Sequence, residues 1–275
     1  MKRIIIGIIV IVIVIFIAVI CSLRQKISLT NEQAEWIGEQ IFYNECGGKI
    51  EFLVAWNEGE DFMSLGIGHF IWYPKDKNGP FKETFPKLLV FVREKGRALP
   101  NWLQESGKPH CPWRSREDFV RDLQNPKVTD LREFLMETKS LQLLFLVERL
   151  KEALPKMLKV APKELQSHIE KQFYRLARTP AGMYALIDYV NFKGEGTLST
   201  ERYKGQGWGL LQVLEEMKGN KRGARGALPE FVRVAEKLLT ERVKNALPGR
   251  NEQRWLPGWK RRLNTYIDAL ADFNK

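Results

Sequence analysis

The sequence predicts an α+β fold, mostly α. A small β-hairpin lobe over about residues 30–113 is followed by a larger helical lobe over about 114–275; one transmembrane helix at 1–23 and a linker at 24–29 precede them. Three observations predict it. An apolar run fills Ile4 to Leu23, interrupted only by Gly7, Cys21 and Ser22. A helix pattern and then alternating apolar residues open the rest of the chain. From residue 114 onward, apolar residues recur at three- and four-residue steps, the helical period.

The N-terminal run is long enough for its purpose. Its 20 residues, at about 1.5 Å each, span the roughly 30 Å hydrocarbon core of a bilayer. Ile and Val dominate it, which suits lipid better than a soluble helix. A cleaved signal peptide is the competing reading, but the exit Ala18-Val19-Ile20-Cys21-Ser22-Leu23-Arg24 lacks small residues at the cleavage positions. Ile20 is also too bulky to precede a lipidated Cys21. The basic start, Lys2 and Arg3, favours an N-terminus inside, against the pull of Arg24 and Lys26. The expectation is a single-pass protein of the inner (cytoplasmic) membrane, its domain facing the periplasm or the cell exterior.

The elements beyond the span follow in order. Thr30 and Gln33 make a capping-box pattern, Ala34, Ile37 and Ile41 give one helix face, and Gly47-Gly48 stops the helix. Ile50, Phe52, Val54 and Trp56 alternate as a strand, Asn57 to Asp61 is a turn, and Phe62 to Tyr73 returns with Gly66 and Gly68 inside. Residues 74–113 are rich in Pro and aromatics, with a loop from Pro74 to Pro80. Leu141 to Leu154 is apolar almost all round and reads as the central buried helix. Leu228, Phe231, Val232, Ala235, Leu238 and Leu239 form a stripe, with Pro229 suited to a first turn. Leu263, Tyr266, Ile267 and Leu270 form another.

Composition is that of a globular protein: 275 residues, 44% hydrophobic, 28% charged, net charge +11. Three cysteines exclude a disulfide-dense scaffold. Cys46 and Cys111 lie beyond the span and are able to pair in an oxidising compartment. His69, His110 and His168 show no metal-ligand spacing, so no metal or organic cofactor is expected. Setting aside Lys2 and Arg3 lowers the charge by two and leaves it strongly positive, which attracts polyanions. No zinc-finger spacing, RNP-like strand or basic heptad points to nucleic acid. An anionic envelope glycan is the better match for a tethered outer domain.

One acid stands out. Glu45 shares a face with Ile41 and Phe42 in the last turn of the first helix. Desolvation and the negative helix end both favour its neutral form, so its pKa is expected to be raised, as a proton donor requires. Glu58 follows in the hairpin turn, and Ser64-Leu65-Gly66-Ile67-Gly68-His69 lies on the returning strand. This stretch resembles the phage-type lysozymes, which have a Glu ending their first helix, an acidic residue in a hairpin and a hydroxyl in T-x-G-x-G-H. The resemblance covers about residues 30–73. It implies Glu45 as general acid, Glu58 as second carboxylate, Ser64 as the hydroxyl holding the attacking water, and His69 as structural. Here the second acid is Glu, the hydroxyl is Ser, and the spacing from Glu45 to Glu58 is longer than the family's. Glu60 and Asp61 share the turn with Glu58.

A second patch runs from Tyr189-Val190-Asn191-Phe192-Lys193-Gly194-Glu195-Gly196 to Gly205-Gln206-Gly207-Trp208-Gly209-Leu210-Leu211-Gln212-Val213. The latter string resembles the G-x-G-[FW]-G-L-M-Q-V segment of goose-type lysozymes and lytic transglycosylases, which lines the sugar groove. That resemblance implies substrate contacts from Gln206, Trp208 and Gln212, and Glu195 as an alternative acid. Asn191 is a further amide for sugar groups. A Gly-rich turn packing Trp208 into a core explains the same residues without a ligand. Arg254 to Arg262 loosely resembles the G-L-x-x-R-R stretch near the end of phage-type lysozymes; as bare sequence it reads as a helix with solvated charges.

Together these imply a lysozyme-like enzyme that cleaves the β-1,4 bond between N-acetylated sugars of peptidoglycan. Glu45 would protonate the leaving oxygen and Glu58 would activate water, an inverting arrangement with carboxyls about 6.5–9.5 Å apart. A transglycosylase using one Glu, a non-catalytic wall-binding module and a chitin-type hydrolase are the competing expectations.

Overall fold

The computed structural model describes residues 27–272 except 80, 105–108, 200 and 220–223. The transmembrane expectation at 1–23 lies outside the described residues. Among the described residues, no helix is long and apolar enough to cross a membrane.

The first helix, α1 (Asn31–Cys46), begins and ends as its sequence dictates. Thr30 Oγ1 accepts from the Gln33 amide at 3.2 Å, and Gln33 Oε1 accepts from the Thr30 amide at 3.0 Å. Gly47 stops it at φ +57°, a left-handed conformation that glycine adopts without strain. Ala34, Ile37, Ile41 and Phe42 bury one face against the later helices α6 (Lys139–Val160) and α8 (Pro180–Lys193).

The hairpin is built differently from its alternation. Ile50–Leu53 forms one 3₁₀ turn, and the strand β1 is only Val54–Ala55. Phe52 therefore points outward and is 53% exposed. The returning segment is two strands, β2 (Met63–Leu65) and β3 (Phe70–Trp72), in an antiparallel sheet of order β1-β2-β3. Ala55 pairs with Ser64, and Ser64 with Ile71. The break falls at Gly66 and His69, with φ of +65° and +46°. A long-range contact holds it: the fully buried Gln142 of α6 accepts from the Ile67 amide at 2.9 Å and donates to the Leu135 carbonyl at 2.6 Å.

Residues 74–113 contain two helices that Pro and aromatic content hid: α2 (Phe85–Glu94), burying Phe85, Leu88, Leu89 and Val92, and the single-turn α3 (Asn101–Gln104). The predominantly helical remainder is as expected. It comprises α4 (Arg116–Arg121), α5 (Pro126–Glu137), α6, α7 (Lys163–Ala177), α8, α9 (Leu210–Glu216), α10 (Ala224–Asn245) and α11 (Leu256–Asp272). A small ribbon, β4 (Arg202–Tyr203) with β5 (Gln206–Gly207), precedes α9.

The central helix is α8, not α6. Every residue from Ala181 to Tyr189 is buried, whereas α6 exposes Glu148, Lys151 and Glu152. The predicted stripes of α10 and α11 face the core, with Leu228, Phe231, Leu239, Leu263 and Tyr266 all buried. Pro229 lies inside α10, beyond its first turn. One continuous apolar cluster runs from Ala34 to Ala269. Cys46 and Cys111 are buried and unbridged.

Candidate active site

Three helices bring the site together. Glu45 ends α1, Asp188 and Asn191 lie on α8, and Arg262 lies on α11. Glu45 Oε1 accepts from Asn191 Nδ2 at 2.9 Å and from Arg262 Nη2. Its second oxygen, Oε2, faces His69 Nε2 at 3.4 Å. The Glu45 side chain is only 6% exposed, while that of His69 is 45% exposed. The carboxylate is thus largely shielded, with the half-exposed His69 of the β2–β3 turn on its Oε2 side.

Behind it sits a buried polar network. Arg262 forks onto Asp188, Nε to Oδ2 and Nη2 to Oδ1, both at 2.8 Å. Asp188 is fully buried and also accepts from Tyr266 Oη and, at 3.4 Å, from Asn44 Nδ2. Asn44 donates to Tyr184 Oη at 2.6 Å, whose hydroxyl pairs with Thr265 Oγ1 at 2.7 Å. A planar, bidentate Arg–carboxylate pair with its remaining sites satisfied fixes orientation strongly.

This network corrects the expected electrostatics of Glu45. Burial is the largest single influence and does favour the proton. The charges of Arg262 and His69, with hydrogen bonds from Arg262 and Asn191, outweigh it and hold the carboxyl below the ordinary range. Resting Glu45 is therefore an ionised, paired carboxylate rather than a standing acid. Burial and the helix end are visible in the sequence near Glu45; Arg262, 217 residues away, is not.

The other expected residues are placed as follows. Glu58 is exposed in the β1–β2 turn, where Asn57 instead holds Glu60 Oε2 at 3.0 Å. Ser64 is buried on the central strand of the sheet. Glu195 is 25% exposed and pairs with Lys156 at 3.2 Å. It does not join Glu45, whose contacts are Arg262, Asn191 and His69.

The Gly-rich segment takes its core-packing reading. Gln212 accepts from the Gly209 amide and donates to the Gly196 carbonyl, both at 3.1 Å. Its amide thus clamps two loops. Trp208 is buried: Tyr203 packs on it at 4.7 Å between ring centroids, and Arg242 lies 4.1 Å from its ring centre. Gln206 donates to Glu241. With Gln212, it also lines an open groove of about 430 Å³, beside Arg202, Lys204, Glu215 and Leu238.

Asp188 belongs to the site without any motif to mark it, and Arg262, expected among solvated charges, is only 14% exposed within it. A signal existed for the first: Asp188 is the sole charge in the apolar run Ala181 to Phe192, and a lone buried acid needs a partner. His69, read as structural, is the group nearest the open side of Glu45. Among the described residues, no cluster of His, Cys, Asp or Glu is placed to hold a metal. Comparison of the chain with protein-family models, curated proteins and solved structures finds no match in any of the three.

Proposed function

We propose that this chain is a membrane-tethered glycosidase of the lysozyme-like kind, cleaving β-1,4 bonds between the N-acetylated amino sugars of peptidoglycan. The observation that carries the reading is Glu45: a carboxylate at the end of the first helix, held on Oε1 by Asn191 and Arg262 and facing a half-exposed histidine with Oε2. In this account the glycan covers the His69 side and excludes water. Desolvation, already the largest influence on Glu45, then grows and favours the protonated acid. Glu45 gives its proton to the leaving oxygen as the glycosidic bond breaks. Glu58, exposed in its turn, is assigned to take a proton from the water that attacks the anomeric carbon.

A second reading has a specific observation behind it. The Arg262 pair keeps Glu45 ionised at rest, as in a site that binds glycan without cutting it. Fold does not fix activity. Incubating the full chain, in detergent, with purified sacculi separates the two. The glycosidase reading expects soluble sugar fragments ending in a free reducing group. Fragments with ring-closed ends would remove Glu58 and leave a transglycosylase with one carboxylate. Binding with no fragments released would establish the non-catalytic module.

A further inference from the structure

Next to the Glu45–Arg262 pair lies a lysine with no acid of its own. Lys193, the last residue of α8, has its Nζ 4.0 Å from the Phe192 ring centre and 3.4 Å from that of Trp259 on α11. Arg262 lies over the same Phe192 ring at 4.4 Å, so the cluster is continuous with the site of Glu45. Arg242 of α10 stands 5.1 Å from the Trp259 ring. Phe192, Lys193 and Trp259 each keep a partly exposed edge.

The neighbouring charges are already matched. Arg262 is paired with Glu45 and Asp188. Arg242 forks onto Glu252, Nε to Oε2 at 2.7 Å and Nη2 to Oε1 at 2.9 Å; Tyr203 adds a hydrogen bond to Oε1 at 2.8 Å. Glu201 feels Arg242 and Glu195 and stays uncharged more readily than usual because it is half-buried. Glu252 is the acid whose charge reaches Lys193, and its oxygens are committed to Arg242 and Tyr203. Among the described residues, Lys193 has ring contacts but no ion pair or hydrogen bond to an acid.

We propose that Lys193, braced between Phe192 and Trp259, is the binding group for a carboxylate carried by the glycan, and that it selects acid-bearing amino-sugar polymers over neutral ones. The inference deepens the glycosidase reading and rests on it. An aromatic wall suits a sugar face, and a buried ammonium beside it supplies a charge-assisted hydrogen bond to an acid. Burial and the nearby Arg242 and Arg262 lower the free Lys193 to about 6. A bound carboxylate reverses that balance, so binding at pH 7 takes up a proton. Neutral chitin-type polymers offer no such partner.

The test is calorimetric binding of two disaccharides to the full chain: N-acetylglucosaminyl-N-acetylmuramic acid, with a free lactyl carboxylate, and neutral diacetylchitobiose. Buffers of different ionisation enthalpy report the proton. The expected result is about tenfold tighter binding of the acidic sugar, with uptake of about one proton at pH 7, and loss of both in Lys193→Met. Methionine fills the slot between the rings, and a cooperative melting transition at or above that of the native chain shows that the variant is folded. A muramyl dipeptide in place of the free acid tells a lactyl carboxylate from a peptide one. Equal binding of the two disaccharides, or a preference that survives Lys193→Met, overturns the proposal and leaves the glycosidase reading standing. Failure of both sugars to bind, with intact sacculi, fails the glycosidase reading. Lactate alone then decides: proton-linked binding that Lys193→Met abolishes upholds the carboxylate site, and its absence overturns it.

Discussion

Replacing Arg262 with Met takes the keystone out of the site. Its guanidinium joins Glu45, 217 residues away, to Asp188, 74 residues away. All three side chains are shielded: Arg262 is 14% exposed, Glu45 6% and Asp188 0%. Leaving buried charges without their partner typically costs about 3–5 kcal/mol. In a domain of this size, each kcal/mol moves the melting temperature by roughly 2–4 °C, so a fall of roughly 6–20 °C is expected at pH 7. The sign of the pH dependence follows from the same contacts. In the native chain, Glu45 is held below its ordinary range. Its pair with Arg262 thus contributes stability above the unfolded carboxyl pKa, and loses it as pH falls through the folded value. In Arg262→Met, burial acts on Glu45 without the guanidinium to offset it and pushes its carboxyl upward, so ionising it opposes folding at neutral pH. The gap between variant and native chain is therefore widest near pH 7 and narrows below about pH 4. Calorimetric melts at both pH values measure it. A loss below about 1 kcal/mol, the worth of an exposed pair, would refute the buried-network reasoning; so would an equal loss at both pH values.

Three further outcomes follow from the packing. Gln142→Leu leaves the Ile67 amide and Leu135 carbonyl without their partner, and should cost about 1–3 kcal/mol for each in denaturant titration; a neutral effect would mean that the turn is held otherwise. Gly209→Ala would put a Cβ 2.3 Å from the Gly196 backbone, parting the loops that Gln212 clamps. A loss of about 1–3 kcal/mol is expected by the same titration, and an unchanged midpoint would contradict the close approach. Burial pushes the Cys46 and Cys111 thiols up to about 12. Neither should react with a thiol reagent in the folded protein at pH 8, and both should react in denaturant; rapid native labelling of either would place it at the surface.

What was legible in the chain was local. Thr30, Gln33 and Gly47 fix the ends of α1 through bonds spanning three or four residues, and those signals lie within the sequence window. The stripes of α10 and α11 were legible for the same reason, because helical period and burial coincide. The break between β2 and β3 was not, since Gln142 reaches Ile67 across 75 residues. The site divides the same way. Glu45 was picked out by its place at a helix end, but its charge state depends on Arg262. Trp208 and Gln212 stand out in a string of glycines, but their contacts with Tyr203, Arg242, Gly196 and Gly209 lie outside any sequence pattern.

The most direct measurement is the rate at which the full chain releases soluble fragments from sacculi, compared with Glu45→Gln and Glu195→Gln. Gln at 45 keeps the shape and the Asn191 and Arg262 neighbourhood but cannot pass a proton. The account predicts a fall of about 10²–10⁴-fold for Glu45→Gln and near-native release for Glu195→Gln. Native release from Glu45→Gln, or loss confined to Glu195→Gln, would contradict it.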